Sequence, residues 1–186
     1  MANRNTQGFG LIPAGTLGQT PATSGTGKYK IDAGYATTIF HGGAVASSAG
    51  YIIDGQTTDA PILGVLNGIF YNAATTLKPT FSNHYVQVTP ANSEDIDAFV
   101  FDNPHQQYVV ATDDSVAQSG YLETYDMNTS AGSTTTGQSS ATLDIGDTSA
   151  DAASFRLLRS AEDPENDENA AFRSVVVCIN LIELQS

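Results

Sequence analysis

Short apolar runs alternate with turn residues along most of the chain, and this pattern predicts β-structure. The segment 51–71, with the sequence YIIDGQTTDAPILGVLNGIFY, is the clearest case, because Asp54-Gly55 and Asn67-Gly68 separate its apolar runs. Asn-Gly and Asp-Gly pairs accept the positive φ angles of two-residue hairpin turns. We therefore expect a β-meander in this segment, with a hairpin turn at Asn67-Gly68.

Similar runs rich in Val, Ile, Tyr, Phe and Thr recur at short intervals, and they predict an all-β fold. Their spacing is typical of a small barrel or a two-sheet sandwich. Gly120 interrupts a helical pattern at 113–128, so a short helix and a loop both remain open there. The further predicted strands are 29–31, 35–40, 85–88, 97–101, 107–112, 141–145, 154–160 and 172–184, the last with a turn near Asn180.

The first 27 residues differ in composition from the rest of the chain. They are rich in Gly, Thr, Asn and Pro, and they carry a few scattered apolar side chains. We interpret residues 1–27 as an extended N-terminal arm and residues 28–186 as a single β-rich domain; a disordered tail is the alternative for the arm. We expect the domain to fold without residues 1–20. The predicted anchors, which would dock on a capsid or a neighbouring subunit, are Phe9, Leu11, Ile12 and Leu17.

Charge argues against nucleic acid as a partner, and the lack of long apolar windows argues against a membrane. The formal net charge is −13 at pH 7, with seven Lys and Arg residues against 20 Asp and Glu residues, so the phosphate backbone of a nucleic acid would be repelled. No window approaches the roughly 20 apolar residues of a membrane span, and the N-terminus has no apolar stretch of signal-peptide length. We therefore expect a protein made in a cytoplasm that binds neither nucleic acid nor membrane.

The residue types that usually bind metals do not form a metal motif. His41, His84 and His105 are far apart in the sequence, and Cys178 is the only cysteine. Cys178 lies in the apolar run VVVCINLI, which predicts a small buried hydrophobic residue. We expect no cofactor and no metal site built on these four residues.

Two acidic clusters are candidate sites. The segment 162–169, EDPENDEN, imitates the first half of a calcium-binding loop, but Glu168 stands where that loop needs Gly, and Ser174 stands where it needs Glu. A solvated loop between two strands is the favoured interpretation. The second cluster, Glu94, Asp95 and Asp97, has the residue type that a glycosidase needs as a pair, but sequence does not show that two of them face each other, and the chain has no Trp to line a sugar cleft. The nucleophile-elbow, Walker and dinucleotide-binding motifs are also absent, so we predict no enzymatic activity.

A family resemblance is carried by five phrases. They are, in chain order, KYKIDAGYATTIFHGG, DAPILGVLNGIFY, EDIDAFVFDNPHQQYVVAT, TTTGQSSATLDI and FRLLRSAEDPENDENAAFRSVVVCIN. This order resembles small structural proteins of tailed bacteriophages, especially marine and cyanobacterial ones, and among them the capsid decoration, or cement, proteins. The resemblance covers roughly residues 28–182.

The resemblance implies a non-enzymatic, β-rich virion protein that binds the major capsid protein on the outside of an icosahedral capsid and stabilises the shell. It also implies assembly in the host cytoplasm, a final location at the capsid surface, and a homo-oligomer. Trimers at three-fold positions are favoured, and dimers at two-fold positions are the alternative. Two other classes remain open: a head fibre, neck or tail protein that contacts a receptor or glycan, and a bacterial hydrolase or sugar-binding module.

Overall fold

The structure is a computed structural model, which describes residues 3, 5–19, 25–55, 61–128, 132–146, 154–167, 169–180 and 182–185. Within these residues the regular secondary structure is almost entirely β-strand, which confirms the predicted all-β class. The strands are β1 (Ile12–Thr16), β2 (Gly27–Ile31), β3 (Ala44–Ser48), β4 (Tyr51–Asp54), β5 (Gly64–Asn72), β6 (Pro79–Ser82), β7 (Ile96–Phe101), β8 (Gln106–Ala111), β9 (Thr124–Tyr125), β10 (Met127–Asn128), β11 (Thr142–Leu143), β12 (Phe155–Ser160) and β13 (Ser174–Ile179). Short 3-10 segments lie at Leu17–Gln19, Ala91–Ser93, Gln118–Gly120 and Glu183–Gln185.

The described strands form three antiparallel sheets. Sheet 1 has the order β1-β8-β13-β12-β9, and sheet 2 has the order β2-β7-β5-β3-β4, with β6 paired to the second half of β5. Strands β10 and β11 make the small sheet 3. In the part of the chain that the structure describes, no helix has the length and apolar content needed to cross a bilayer.

The arrangement is a sandwich and not a closed barrel. Strands β2 and β4, at the two ends of sheet 2, contact each other, so this sheet is curled, but no ladder pairs them among the described residues. One core cluster joins sheet 1 to part of sheet 2, and it includes Tyr108, Val175 and Val177 together with Val65. The second cluster lies on the opposite face of sheet 2 and includes Ile31, Leu66, Ile69, Ile96 and Val100.

The predicted hairpin turn at Asn67-Gly68 is wrong. Strand β5 runs through this pair, and its register against β7 shifts between Leu66, which faces Val100, and Gly68, which faces Phe99. Asn67 is therefore the extra residue of a β-bulge. Its carbonyl oxygen accepts a hydrogen bond from Nδ1 of His41 at 2.9 Å.

Several other local predictions also change. The runs 35–40 and 85–88 are not strands; an isolated antiparallel bridge joins Ile39 to Tyr85, and the hydroxyl of Tyr85 donates to the carbonyl oxygen of Tyr35. The segment 113–128 contains no α-helix, and its 3-10 turn ends at Gly120. The strand at 172–184 is confirmed in its central part, since β13 ends at Ile179, just before the predicted turn at Asn180. Cys178 is buried, as its apolar surroundings indicate.

The N-terminal segment is built into the sandwich. Strand β1 is the end strand of sheet 1 and pairs with β8, and Leu11, the residue before it, is buried in the first core cluster. Gly10 has a φ of 73°, a conformation that favours glycine, where the segment passes against residue 42. The expectation that residues 1–20 are dispensable for folding therefore does not fit the positions of residues 10–16.

Candidate docking surface

The predicted anchors of the N-terminal segment have separate locations. Leu11 lies in the core of its own chain, so it is not available to a partner, because strand β1 inserts it between the sheets. Phe9 is half-buried, and its carbonyl oxygen accepts a hydrogen bond from Gln138 at 2.6 Å. Ile12 and Leu17, at either end of β1, are 46% and 38% exposed. The structure thus leaves Ile12 and Leu17 as the pair at the surface.

The acidic loop 162–169 is anchored by amide side chains. Asn166 donates hydrogen bonds to the carbonyl oxygens of Ala161 and Ser174 and accepts one from the backbone N–H of Ser174. Asn3 donates to the carbonyl oxygens of Ala170 and Ala171. In the described ranges no three His, Cys, Asp or Glu side chains are grouped as a metal site. Asn166 thus fastens the loop to the backbone on both sides of it.

The second acidic cluster lies beside sheet 2. Glu94, Asp95 and Asp97 help to line a shallow depression of about 280 Å³, together with Lys30 and Phe70. Asp97 is ion-paired with two lysines, at 2.7 Å from Nζ of Lys28 and 2.6 Å from Nζ of Lys30.

Burial opposes the ionisation of Asp97, but hydrogen bonds from Lys28 and Lys30 outweigh it and hold the pKa of the carboxyl below its ordinary value. The same contact with Asp97 raises the pKa of Lys30. A carboxylate locked between two ammonium groups is a poor general acid, because it holds no proton to donate near neutral pH. The arrangement is that of a structural ion cluster.

Three phenylalanines, one exposed and two half-buried, cluster on the side of sheet 2 that faces sheet 1; we call this cluster the aromatic face and define it as Phe70, Phe81 and Phe99. Phe70 faces Phe81 across the β5–β6 ladder, and the rings of Phe81 and Phe99 lie 6.3 Å apart. The side chain of Phe81 is 62% exposed, and Phe81 lies within strand β6. Phenylalanine carries no polar group that would favour exposure to water, so a cluster of this kind indicates a contact site.

The position of the aromatic face follows from the geometry of the sandwich. Phe101 and Val65 are paired between β7 and β5, and both contribute to the core that sheet 1 covers. Side chains alternate along a strand, so Phe99 lies on the same side of β7 as Phe101. Sheet 1 covers the end of this face at Phe101 and leaves the end at Phe99 open. The aromatic face is thus the uncovered continuation of the interface between the two sheets.

Glycine at position 68 makes room for this cluster. A Cβ atom on Gly68 would lie 2.8 Å from Cζ of Phe81 and 2.9 Å from the carbonyl oxygen of Ser82. The ring of Phe81 therefore rests on the bare backbone of β5, where a side chain would displace it. Placing an aromatic ring over a strand glycine holds the ring in one position.

A second depression, of about 470 Å³, lies between the 3-10 turn at Gln118–Gly120 and strand β9. Its lining includes Ser115, Ser119, Glu123 and Tyr125. The hydroxyl of Tyr125 donates to the carbonyl oxygen of Gly120 at 3.0 Å, so this group already has a partner. The depression offers no cluster of titratable groups.

Sequence reasoning did not find the aromatic face. Phe81 lies in the run PTFSNH, which the pattern does not predict as a strand, and the pattern places Gly68 in a hairpin turn and Phe70 in the apolar run after it. The available signal was the odd-numbered series of Asp97, Phe99 and Phe101 in the predicted strand, which places two phenylalanines on one face.

Comparison of the chain with family models, with curated proteins and with solved structures finds no match.

Proposed function

We propose that this protein is a non-enzymatic virion component that binds the outer surface of an icosahedral phage capsid and stabilises it. The observation that carries the proposal is the presence of two separate exposed apolar surfaces on one small sandwich. One is the edge of sheet 1 at Ile12 and Leu17, and the other is the aromatic face of sheet 2. A protein that joins both a shell and its own copies needs two such surfaces.

The charge distribution supports an external position. A net charge of −13 disfavours contact with packaged DNA, whereas the outside of the shell imposes no such penalty. The order of sequence phrases, which resembles that of decoration proteins, points to the same place. The proposed partners are the major capsid protein and further copies of this chain.

We assign the capsid contact to Ile12 and Leu17. No charged residue occurs from 5 to 27, so this segment adds no charge of its own to oppose contact with the shell. Strand β1 also carries Pro13 and a register shift between Pro13 and Gly15, two features that oppose pairing with a further strand. Contact would therefore be made by apolar side chains and not by extending sheet 1.

The test is reconstitution on expanded capsids that lack the protein and are assembled from the major capsid protein of the same phage. We expect the added protein to sediment with the capsids and to raise the temperature at which they break open. Purified protein should show no hydrolysis in a panel of glycoside and ester substrates. Capsids that melt at the same temperature with and without it, or co-purification of the protein with tails, would contradict the proposal.

A head fibre, neck or tail protein that contacts a glycan is the second candidate. The observation in its favour is that the aromatic face adjoins the depression at Asn72, Glu94 and Asp95, since aromatic rings beside amide and carboxylate groups suit a sugar. A glycan array separates the two candidates, because a decoration protein should give no signal on it.

A further inference from the structure

We infer that the aromatic face is the contact between two copies of this chain, related by a two-fold axis that lies in the interface and crosses the strands. This inference rests on the proposed homo-oligomer but not on capsid binding. It favours a dimer where the sequence favoured a trimer.

Charge limits the orientations in which two copies of the chain can meet. Two copies that each carry a net charge of −13 repel one another at most orientations. The aromatic face is exceptional, because Lys28 and Lys30, two of the seven Lys and Arg residues of the chain, border it with half-exposed side chains. They lie opposite Phe99 and Asp97 in the β2–β7 ladder, so they are on the same side of sheet 2 as the phenylalanines.

The charged residues beside the aromatic face follow an order along strands β2 and β7. Glu94 and Asp95 lie just before β7, and Lys30 faces Asp97 near its start; farther along the strand, Lys28 faces Phe99. The ammonium groups of Lys28 and Lys30 both lie on the Asp97 carboxylate and leave a surplus of one positive charge there, whereas Glu94 and Asp95 make the neighbouring end of the face acidic. A two-fold axis across the strands reverses one copy end for end, so Lys28 of each copy approaches Glu94 of the other.

The packing of the Phe81 ring favours contact with a second copy. The ring of Phe81 is held between Gly68 and Phe99, so little side-chain entropy remains to be lost when a partner covers it. In a symmetric pair each contact is made twice, so the contribution of one exposed ring is doubled. Rigid aromatic side chains near the centre of an interface contribute most of its affinity.

The experiment is sedimentation equilibrium on the full chain without capsids. Phe81→Ser is the test variant, and Leu122→Ser is the matched control, because Leu122 is 63% exposed, Phe81 is 62% exposed, and Leu122 is not part of sheet 2. We expect a wild-type dimer, an increase of at least about thirtyfold in the dissociation constant for Phe81→Ser, and a wild-type value for Leu122→Ser. Circular dichroism confirms that each variant is folded.

A charge exchange tests the symmetry. Lys28→Glu and Glu94→Lys should each weaken the homodimer, and mixing the two single variants should restore dimerisation, because the axis brings position 28 of each copy to position 94 of the other. A repair inside one chain, where Lys28 pairs with Asp97, cannot give that result. A monomeric wild type, an unaffected Phe81→Ser dimer, or equal weakening by Leu122→Ser would overturn the inference. A trimer, or a mixture of the two single variants that does not dimerise, would overturn the two-fold arrangement.

The result is separable from the proposed function. A protein that dimerises through Phe81 but does not bind capsids contradicts only the capsid role. A monomer that still binds and stabilises capsids contradicts only this inference.

Discussion

The ring of Phe81 lies so close to Gly68 that a Cβ atom on residue 68 would come within 2.8 Å of Cζ of the ring. This contact connects a local feature of the sequence, the Asn-Gly pair, to the surface that we propose as the dimer contact. The bulge at Asn67 brings Gly68 opposite Phe99, and the bare backbone of Gly68 then accepts the ring from the neighbouring strand.

Replacing Gly68 with alanine should therefore disturb both the fold and the face. The new methyl group would press on the movable Phe81 ring and also on the carbonyl oxygen of Ser82, which cannot move without the strand. We expect a loss of about 1–3 kcal/mol in the free energy of unfolding, measured by urea denaturation. Gly15→Ala is the control, because its nearest neighbour would be a side-chain atom of Gln107 at 3.9 Å. Equal stability of the two variants would show that the ring does not depend on Gly68.

The alanine variant of Leu11 tests whether the N-terminal segment belongs to the core. Leu11 is buried among residues of both sheets, so Leu11→Ala should lower the free energy of unfolding by about 2–5 kcal/mol. Leu17→Ala is the matched control in the same segment, and its partly exposed side chain should make its cost less than about 1 kcal/mol. If Leu11→Ala unfolds at the wild-type urea concentration, the segment is an appended arm after all.

The strands that the sequence predicts differ in local preference from those that it does not predict. Apolar patterning correctly predicted an all-β chain and the core strands β4, β7, β8, β12 and β13, because those runs are rich in β-branched and aromatic residues. It did not predict β1, β3 or β6, whose sequences IPAGT, AVASS and PTFS have weak local preferences and depend on pairing with distant strands.

The candidate surface also depends on pairing between distant parts of the chain. An Asn-Gly pair is compatible with both a hairpin turn and a bulge, and the choice depends on how β5 pairs with β7, which lies 30 residues farther along the chain. Whether Phe81 is covered or exposed depends on how far sheet 1 extends over sheet 2. Neither fact can be read from the residues around position 68 or position 81.

The ion cluster on sheet 2 predicts a specific pH dependence. The pKa of Asp97 is held below its ordinary value, so its ion pairs stabilise the fold above the ordinary carboxyl pKa of about 4, and this contribution is lost as the pH falls through the lower folded-state value. Wild type and Asp97→Asn should differ most in urea midpoint above about pH 5 and converge in stronger acid. A difference that stays constant down to about pH 2.5 would rule out this role for the carboxylate.

The acidic loop should depend on Asn166 and not on a metal ion. Asn166→Ala removes hydrogen bonds to backbone groups of Ala161 and Ser174, so we expect a loss of about 1–3 kcal/mol in the free energy of unfolding. Asn169→Ala, which changes an exposed side chain in the same loop, should have little effect. A chelator should leave the wild-type melting temperature unchanged, and a decrease of several degrees would instead indicate a bound cation.

The edge at Ile12 and Leu17 should control binding to capsids without controlling the dimer. Burying a large apolar side chain contributes roughly 1.5–3 kcal/mol when it is fully exposed beforehand, and these two are about half exposed or less. The double variant Ile12→Ser, Leu17→Ser should therefore weaken capsid binding by at least about tenfold, measured by co-sedimentation. Leu184→Ser is the control, because Leu184 is 53% exposed and lies outside β1. The double variant should still dimerise, since the aromatic face is on the other sheet. Wild-type capsid binding by the double variant would show that β1 is not the contact, and loss of binding by Phe81→Ser alone would move the capsid contact to the aromatic face.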